Sequence, residues 1–151
     1  MKLINLIKET GLIISCAGIS IFFKEKAGEF FNGNGKSMEP TIPEESVLFV
    51  DKITPLIRNP VKGEVVIMKS VFNSNEYICK RVKYVAGEEF QLDARTIKVP
   101  EGFVWVEGDN SKNSFDSRYY GPMSLFLLVG IARFAIYPNY QKFNTDYAWN
   151  N

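Results

Sequence analysis

The sequence predicts a mostly β domain preceded by one apolar helix, and three observations carry that reading. Short runs rich in Val, Ile, Phe and Tyr recur along the chain, each bounded by Gly, Pro or Asn, as strands and their turns are. The long uncharged apolar run is confined to the N-terminus. With 151 residues, 46% of them hydrophobic, the chain can bury one compact core, so one small domain with appendages is expected.

Residues 11–23, GLIISCAGISIFF, carry no charge, and residues 3–7 extend the apolar character upstream with only Lys8 and Glu9 interrupting. A bilayer span needs about 20 apolar residues, so the strict run is short and the interruption must lie at headgroup level or snorkel. Residues 1–27 therefore read first as a membrane anchor; a cleaved targeting sequence and a packed amphipathic helix are the alternatives. Against cleavage, candidate chemistry begins at Ser37, close behind the run. Lys2 and Lys8 precede it and Lys24 and Lys26 follow it, so charge does not fix its orientation.

The folded domain is taken as residues 28–140. Asn32-Gly33-Asn34-Gly35 is turn-rich and reads as a flexible stretch at its boundary. Strands are expected at 46–51, 64–69, 77–85, 96–99 and 103–107. Residues 125–136 are ambiguous between helix and strand, but 129–136 alternate well enough to favour a closing strand. Phe49, Trp105 and residues 125–128 can be core or membrane-contacting surface, and core is the first reading. No internal repeat is visible, and the polar tail 141–151 is expected to be peripheral.

Composition excludes several functions. A net charge of +1, from 18 basic and 17 acidic residues, gives no basic field for a phosphate backbone, so nucleic acid is not an expected partner. Cys16 and Cys79, without any histidine, cannot build a tetrahedral zinc site; both are read as free thiols, and neither metal nor cofactor is expected.

The chemistry-bearing string is Ser37-Met38-Glu39-Pro40-Thr41, followed by Lys80-Arg81 and Gly108-Asp109-Asn110. A serine hydroxyl is a poor nucleophile until a base takes its proton, and the usual imidazole is missing. Lysine is the base that remains. It must be neutral to act, yet a free lysine has a pKa near ~10.4, so burial against apolar neighbours has to lower it. Strand alternation provides for this: Ile78, Lys80 and Val82 share one face, while Cys79 and Arg81 share the other. Arg81 cannot serve as base, because its guanidinium does not deprotonate, and is assigned a structural role.

Three strings in order resemble the type I signal peptidases, a family of Ser/Lys proteases. Gly35-Lys36-Ser37-Met38-Glu39-Pro40-Thr41 resembles their nucleophile box, Tyr77-Ile78-Cys79-Lys80-Arg81-Val82 their lysine box, and residues 108–118, GDNSKNSFDSR, their C-terminal box; Gly63-Glu64-Val65-Val66 also fits. Within the family, residues 78–82 and 98–106 are most similar to the catalytic subunits of the mitochondrial inner membrane protease, the first of the two in particular. The short stretch between these segments leaves no room for the large extra β domain of many bacterial relatives.

The resemblance implies coiled antiparallel sheets behind the anchor, with the Ser37/Lys80 cleft open toward the membrane. It makes Ser37 the nucleophile, Lys80 the general base, and Ser114 a hydrogen-bonding support for the lysine. Arg81, Asp109, Asp116 and Arg118 fall at structural positions near the site, with Asp116 and Arg118 expected to pair with each other or a nearby charge. Gly35, Met38 and Pro40 belong to the substrate cleft. Some bacterial members carry a hydroxyl residue where this chain has Gly35, so the oxyanion is expected to rest on backbone donors, the Ser37 amide first.

The implied substrates are presequence-bearing proteins, bound as an added strand with small residues at the first and third positions before the cut, Asn or Asp being tolerated at the first. The implied setting is the mitochondrial inner membrane and its lipid, with the catalytic domain facing the intermembrane space and a second, related protease subunit as partner. Alternatives are a bacterial-type or other organellar signal peptidase, a self-cleaving Ser/Lys regulator, and a catalytically silent membrane-tethered β scaffold.

Overall fold

The computed structural model describes residues 27–143. The expected anchor, Cys16 and the end of the tail lie outside the described residues. Among those residues no helix is long and apolar enough to cross a membrane.

Among the described residues ten strands form in chain order: β1 (Gly28–Gly33), β2 (Ser46–Asp51), β3 (Val65–Lys69), β4 (Tyr77–Val85), β5 (Glu89–Leu92), β6 (Arg95–Lys98), β7 (Phe103–Glu107), β8 (Met123–Ser124), β9 (Leu128–Tyr137) and β10 (Gln141–Lys142). Two short helices, α1 (Thr54–Ile57) and α2 (Ser117–Tyr120), interrupt them. Eight strands join one antiparallel sheet in the order β1-β2-β9-β3-β4-β7-β8, with β10 beside β9; β5 and β6 form a separate hairpin. Register shifts between Val47 and Leu48, Phe49 and Val50, Ile67 and Met68, and Val82 and Tyr84 are the irregularities by which such a sheet bends and coils.

The coil gives the sheet two buried faces. Val65 and Ile67 pack with Leu48, Val50, Ala132 and Ala135 on one side, and Val66 and Met68 pack with Val82, Val104, Val106 and Ile131 on the other. This is why β3 reads as a continuous apolar run rather than an alternating one: successive side chains point to opposite faces, and here both are covered. Leu48 is wholly buried, and its truncation to alanine would cost about 2–5 kcal/mol. Trp105 is core, as expected, at 2% exposure, but Phe126, within the apolar run 125–128, is fully exposed.

A buried polar knot supports the entry to β3. Glu64 is 0% exposed, and its carboxylate accepts from Arg58 at 2.7 and 3.0 Å, from Arg133 at 3.2 Å and from the Val61 amide at 2.9 Å. Those donors offset the desolvation that an isolated buried carboxylate would suffer.

Two boundaries differ from the sequence reading. Asn32 and Gly33 are the last residues of β1, paired with Val47 and Ser46, so the flexible stretch expected at 32–35 is half strand. The ladder with β2 overrides the turn propensity of Asn and Gly. At the other end, Gln141 and Lys142 pair with β9 and Phe143 joins the core at 8% exposure, so the peripheral tail cannot begin at 141. The closing strand begins at Leu128, behind a 3-10 turn at Leu125–Leu127.

Candidate active site

Ser37 sits in a 3-10 turn, Lys36–Met38, between β1 and β2. Gly35 opens it at φ +147°, a conformation residues with a Cβ rarely adopt, and Met38 anchors its far end in the core at 2% exposure. The Met38 carbonyl accepts the Ile42 amide at 2.9 Å, and the Ser37 carbonyl accepts the Asn110 amide at 2.9 Å. The nucleophile box is thus tied to the C-terminal box through backbone. Ser37 itself remains partly exposed.

Lys80 lies on β4 opposite Val66, on the face shared with Ile78 and Val82, and is 4% exposed. Burial pushes its ammonium pKa below the ordinary lysine value; the nearby Asp116 carboxylate opposes that shift and the Arg118 guanidinium reinforces it. Among the described residues, the acidic groups nearest the site form ion pairs with Arg81 and Arg118, not with Lys80.

Ser37 and Lys80 line one cleft of about 160 Å³, walled by the end of β1 and the start of β4 and floored by residues that include Met38, Ile42, Leu48 and Ile67. Gly35 lines the same cleft. Pro40 does not: with Glu39, Asp109, Asn110, Ser111 and Lys112 it lines an adjoining, wide-open groove.

Behind the lysine, Asp116 is 0% exposed and saturated with donors. Arg118 reaches it through Nε at 2.8 Å and Nη2 at 2.7 Å, the Gly108 amide at 2.9 Å, and the Ser114 hydroxyl at 2.5 Å. Burial alone would raise its pKa; these donors outweigh that and hold it below the ordinary carboxylate value. Ser114, buried at 6% exposure, spends its one proton on Asp116, which leaves its lone pairs as acceptors.

Arg81, on the opposite face of β4 from Lys80, grips Asp109 through Nε at 2.8 Å and Nη2 at 2.6 Å, and gives Nη1 to the Gly63 carbonyl at 2.8 Å. Burial raises the Asp109 pKa, but hydrogen bonds from Arg81 and Thr41 overcome it, so this carboxyl too titrates below its usual range. The pair clamps the loop after β7 onto the lysine strand.

One residue that matters here was quoted in the sequence but given no role. Gly108 packs so tightly that a Cβ would lie 2.2 Å from Ser114 Oγ and 2.4 Å from the Ser37 carbonyl oxygen. A Gly before Asp-Asn signals a turn; only the packing reveals that two functional segments press on its α-carbon.

Comparison with known proteins matches these features to one family. The model described as "Signal peptidase, peptidase S26" matches residues 3–98 and 85–137, which include the Ser37, Lys80 and Ser114 boxes. The chain belongs to this signal peptidase family. It is similar to mitochondrial inner membrane protease subunit 1 of Mus musculus, 38% identical over 70% of this chain and 67% of that one, and of Homo sapiens, 34% identical over 91% and 82%. Subunit 2 of Saccharomyces cerevisiae is 27% identical over 93% of this chain and 85% of its own. The signal peptidase described here is accordingly a serine endopeptidase of the mitochondrial inner membrane.

The one cysteine among the described residues is inert. The Cys79 thiol is free, and burial pushes its pKa up to about 12, so it is no competing nucleophile beside Lys80.

Proposed function

We propose that this signal peptidase removes presequences or sorting sequences from proteins delivered to the intermembrane space, using Ser37 as nucleophile and Lys80 as general base. The observation that carries the assignment is one cleft that holds both a partly exposed serine and a lysine that burial has driven toward neutrality.

The proposed steps are these. Ser114, having donated to Asp116, accepts an N–H of the neutral Lys80 amine and turns the nitrogen lone pair toward Ser37. Lys80 takes the Ser37 proton as Oγ bonds to the scissile carbonyl carbon, and returns that proton to the departing amine. Water, deprotonated by the same lysine, then cleaves the acyl-enzyme. The negative oxygen formed in each half is held by backbone donors. The bond inside the Lys36–Met38 turn, from the Glu39 amide to the Lys36 carbonyl at 3.3 Å, does not use the Ser37 amide.

Asp116, Arg118, Arg81 and Asp109 hold the frame rather than react. An ionised carboxylate in contact with Lys80 would favour its charged form, and committing Asp116 to Arg118 and Ser114 limits that effect. The catalytic domain faces the intermembrane space, anchored in lipid through residues 1–27, and works beside a second related subunit; the naming of the relatives as subunits 1 and 2 supports the pairing.

The test is cleavage of a presequence-bearing substrate by the detergent-solubilised full chain, with and without a candidate second subunit. Ser37→Ala and Lys80→Ala are each expected to lose activity by on the order of 10⁴-fold with folding retained. Full activity in Lys80→Ala, or no cleavage by wild type in either setting, sinks the dyad.

A further inference from the structure

Two Asn-Gly pairs, Asn32-Gly33 and Asn34-Gly35, run directly into the nucleophile turn. Asparagine is a thermolabile residue, and a following glycine makes it more so, because no Cβ shields the next backbone nitrogen from the side-chain amide. The fold treats the two pairs differently. Asn32 and Gly33 are held in the ladder opposite Val47 and Ser46, and a Cβ on Gly33 would already touch the Ser46 carbonyl oxygen at 3.4 Å. Asn34 and Gly35 lie past the last ladder pair; Asn34 is exposed, and a Cβ on Gly35 would meet nothing within 4 Å. The Gly35 amide donates to no acceptor among the described residues.

The reaction open to such a pair is ring closure. The Gly35 backbone nitrogen bonds to Asn34 Cγ, its proton leaves with the side-chain nitrogen as ammonia, and a five-membered succinimide remains. Water then adds to one of the two ring carbonyls, and the ring C–N bond on that side breaks. Opening at the original backbone carbonyl, the commoner course, leaves an isoaspartate whose main chain runs through Cβ and Cγ. Opening at the other carbonyl leaves aspartate. Both products carry a new carboxylate, but only isoaspartate lengthens the main chain, by one carbon or about 1.5 Å. Closure needs the asparagine ψ to leave the extended range, which a paired strand forbids, so the ladder protects Asn32 and leaves Asn34 open to reaction.

We propose that Asn34 is a self-modifying site, and that its conversion to isoaspartate unseats Ser37 and so limits the working life of the enzyme. The loss of activity rests on the Ser37/Lys80 reading. Only Asn34 and Gly35 separate the ladder pair of Gly33 and Ser46 from the Lys36–Met38 turn. Both ends of that link are fixed. The ladder holds the first; Met38, at 2% exposure in the core, and the Ser37 carbonyl, 2.9 Å from the Asn110 amide, hold the second. A two-residue link between fixed ends cannot take up an added carbon without turning Lys36 and Ser37. The new carboxylate also stands on the wall of the cleft, which Gly33, Asn34 and Gly35 all line.

The experiment ages the full chain in detergent, in warm and mildly alkaline buffer, for wild type, Asn34→Gln and Asn34→Asp. Samples are taken over days for peptide mass mapping against synthetic isoaspartyl standards, for thermal melts and for cleavage of a presequence-bearing substrate. Asn34 of the wild type is expected to convert, chiefly to isoaspartate, while Asn32 keeps its amide. Activity should fall in step with the converted fraction, fully converted protein losing about 100-fold while it still melts cooperatively. Asn34→Gln, which can close only a slower six-membered ring, should hold its own starting rate over the same days. Fresh Asn34→Asp has the charge without the extra carbon and should cut faster than aged wild type. An intact amide at Asn34, conversion without loss of rate, decay of Asn34→Gln at the wild-type pace, or fresh Asn34→Asp as slow as aged wild type each overturns the inference and leaves the dyad standing. Fresh wild type that cuts nothing sinks the dyad, and the inactivation with it.

Discussion

Gly108 faces the Ser37 carbonyl oxygen so closely that a Cβ on it would stand 2.4 Å away, and Ser114 Oγ would be nearer still at 2.2 Å. Neither neighbour can retreat freely: the first carbonyl is held by the Asn110 amide and the second hydroxyl by Asp116. Gly108→Ala is therefore expected to push the nucleophile turn away from the lysine strand. Overpacking of this kind costs about 1–3 kcal/mol, and misplacement near 1 Å costs about 100-fold in rate. Denaturant melts and presequence cleavage measure the two losses; a fully active Gly108→Ala protein would show that this contact does not position Ser37.

Asp116 influences Lys80 without bonding to it. Its charge raises the lysine pKa against the larger effect of burial, so Asp116→Asn is expected to lower that pKa further. Activity requires the neutral amine, and the acid limb of the kcat/KM profile should move to lower pH. Breaking the pair with Arg118 should also destabilise the fold by on the order of 3 kcal/mol. An acid limb that stays in place or moves upward would contradict the electrostatic account.

Lys80 should also leave a mark on stability. Its folded pKa lies below the ordinary value of 10.5, so between the two the unfolded chain binds more protons than the folded one, and stability rises with pH across that window. Below the folded pKa the penalty is fully present. Lys80→Met is expected to melt higher than wild type near neutral pH, with the gap closing as pH climbs past the unfolded value. Equal melting temperatures at neutral pH would mean that burial does not strain this lysine.

The clamp between Arg81 and Asp109 makes a different prediction. Two parallel hydrogen bonds from one guanidinium cannot be reproduced by an ammonium, and Arg81 spends a further N–H on Gly63, so Arg81→Lys should cost about 1–3 kcal/mol. Asp109 has a depressed folded pKa, so its stabilising contribution is present above the unfolded value of 3.8 and is lost as pH falls through the folded one. Weakening the clamp lifts that folded pKa, and acid unfolding of the variant should begin at higher pH than in wild type. Circular dichroism across an acid titration decides it.

The strands at 46–51, 77–85 and 103–107 were legible from residues alone and form as their patterns suggest. β1 was hidden because Asn32 and Gly33 have poor strand propensity and are held by the β2 ladder, a contact no local window contains. The β5 strand, Glu89–Leu92, alternates polar and apolar residues but is only four residues long and belongs to a hairpin outside the main sheet. At the site, alternation along β4 puts Lys80 and Arg81 on opposite faces, with Lys80 buried, and both are found so. The Ser114 bond to Asp116, the Thr41 bond to Asp109 and the crowding at Gly108 depend on side chains meeting across long loops, and sequence periodicity carries no trace of them.

The desolvation of Lys80 has a consequence for the life history of the chain. Its walls come from β3, from β4 and from the loop that carries Ser114 and Asp116, segments far apart in sequence that meet only when the sheet has closed. Before closure the amine is hydrated and titrates as an ordinary lysine, and on the Ser37/Lys80 reading the serine has no activated base. On that reading, folding serves as the activating step that other proteases assign to cleavage of a propeptide. A partly folded molecule, wherever it waits, carries no cutting edge.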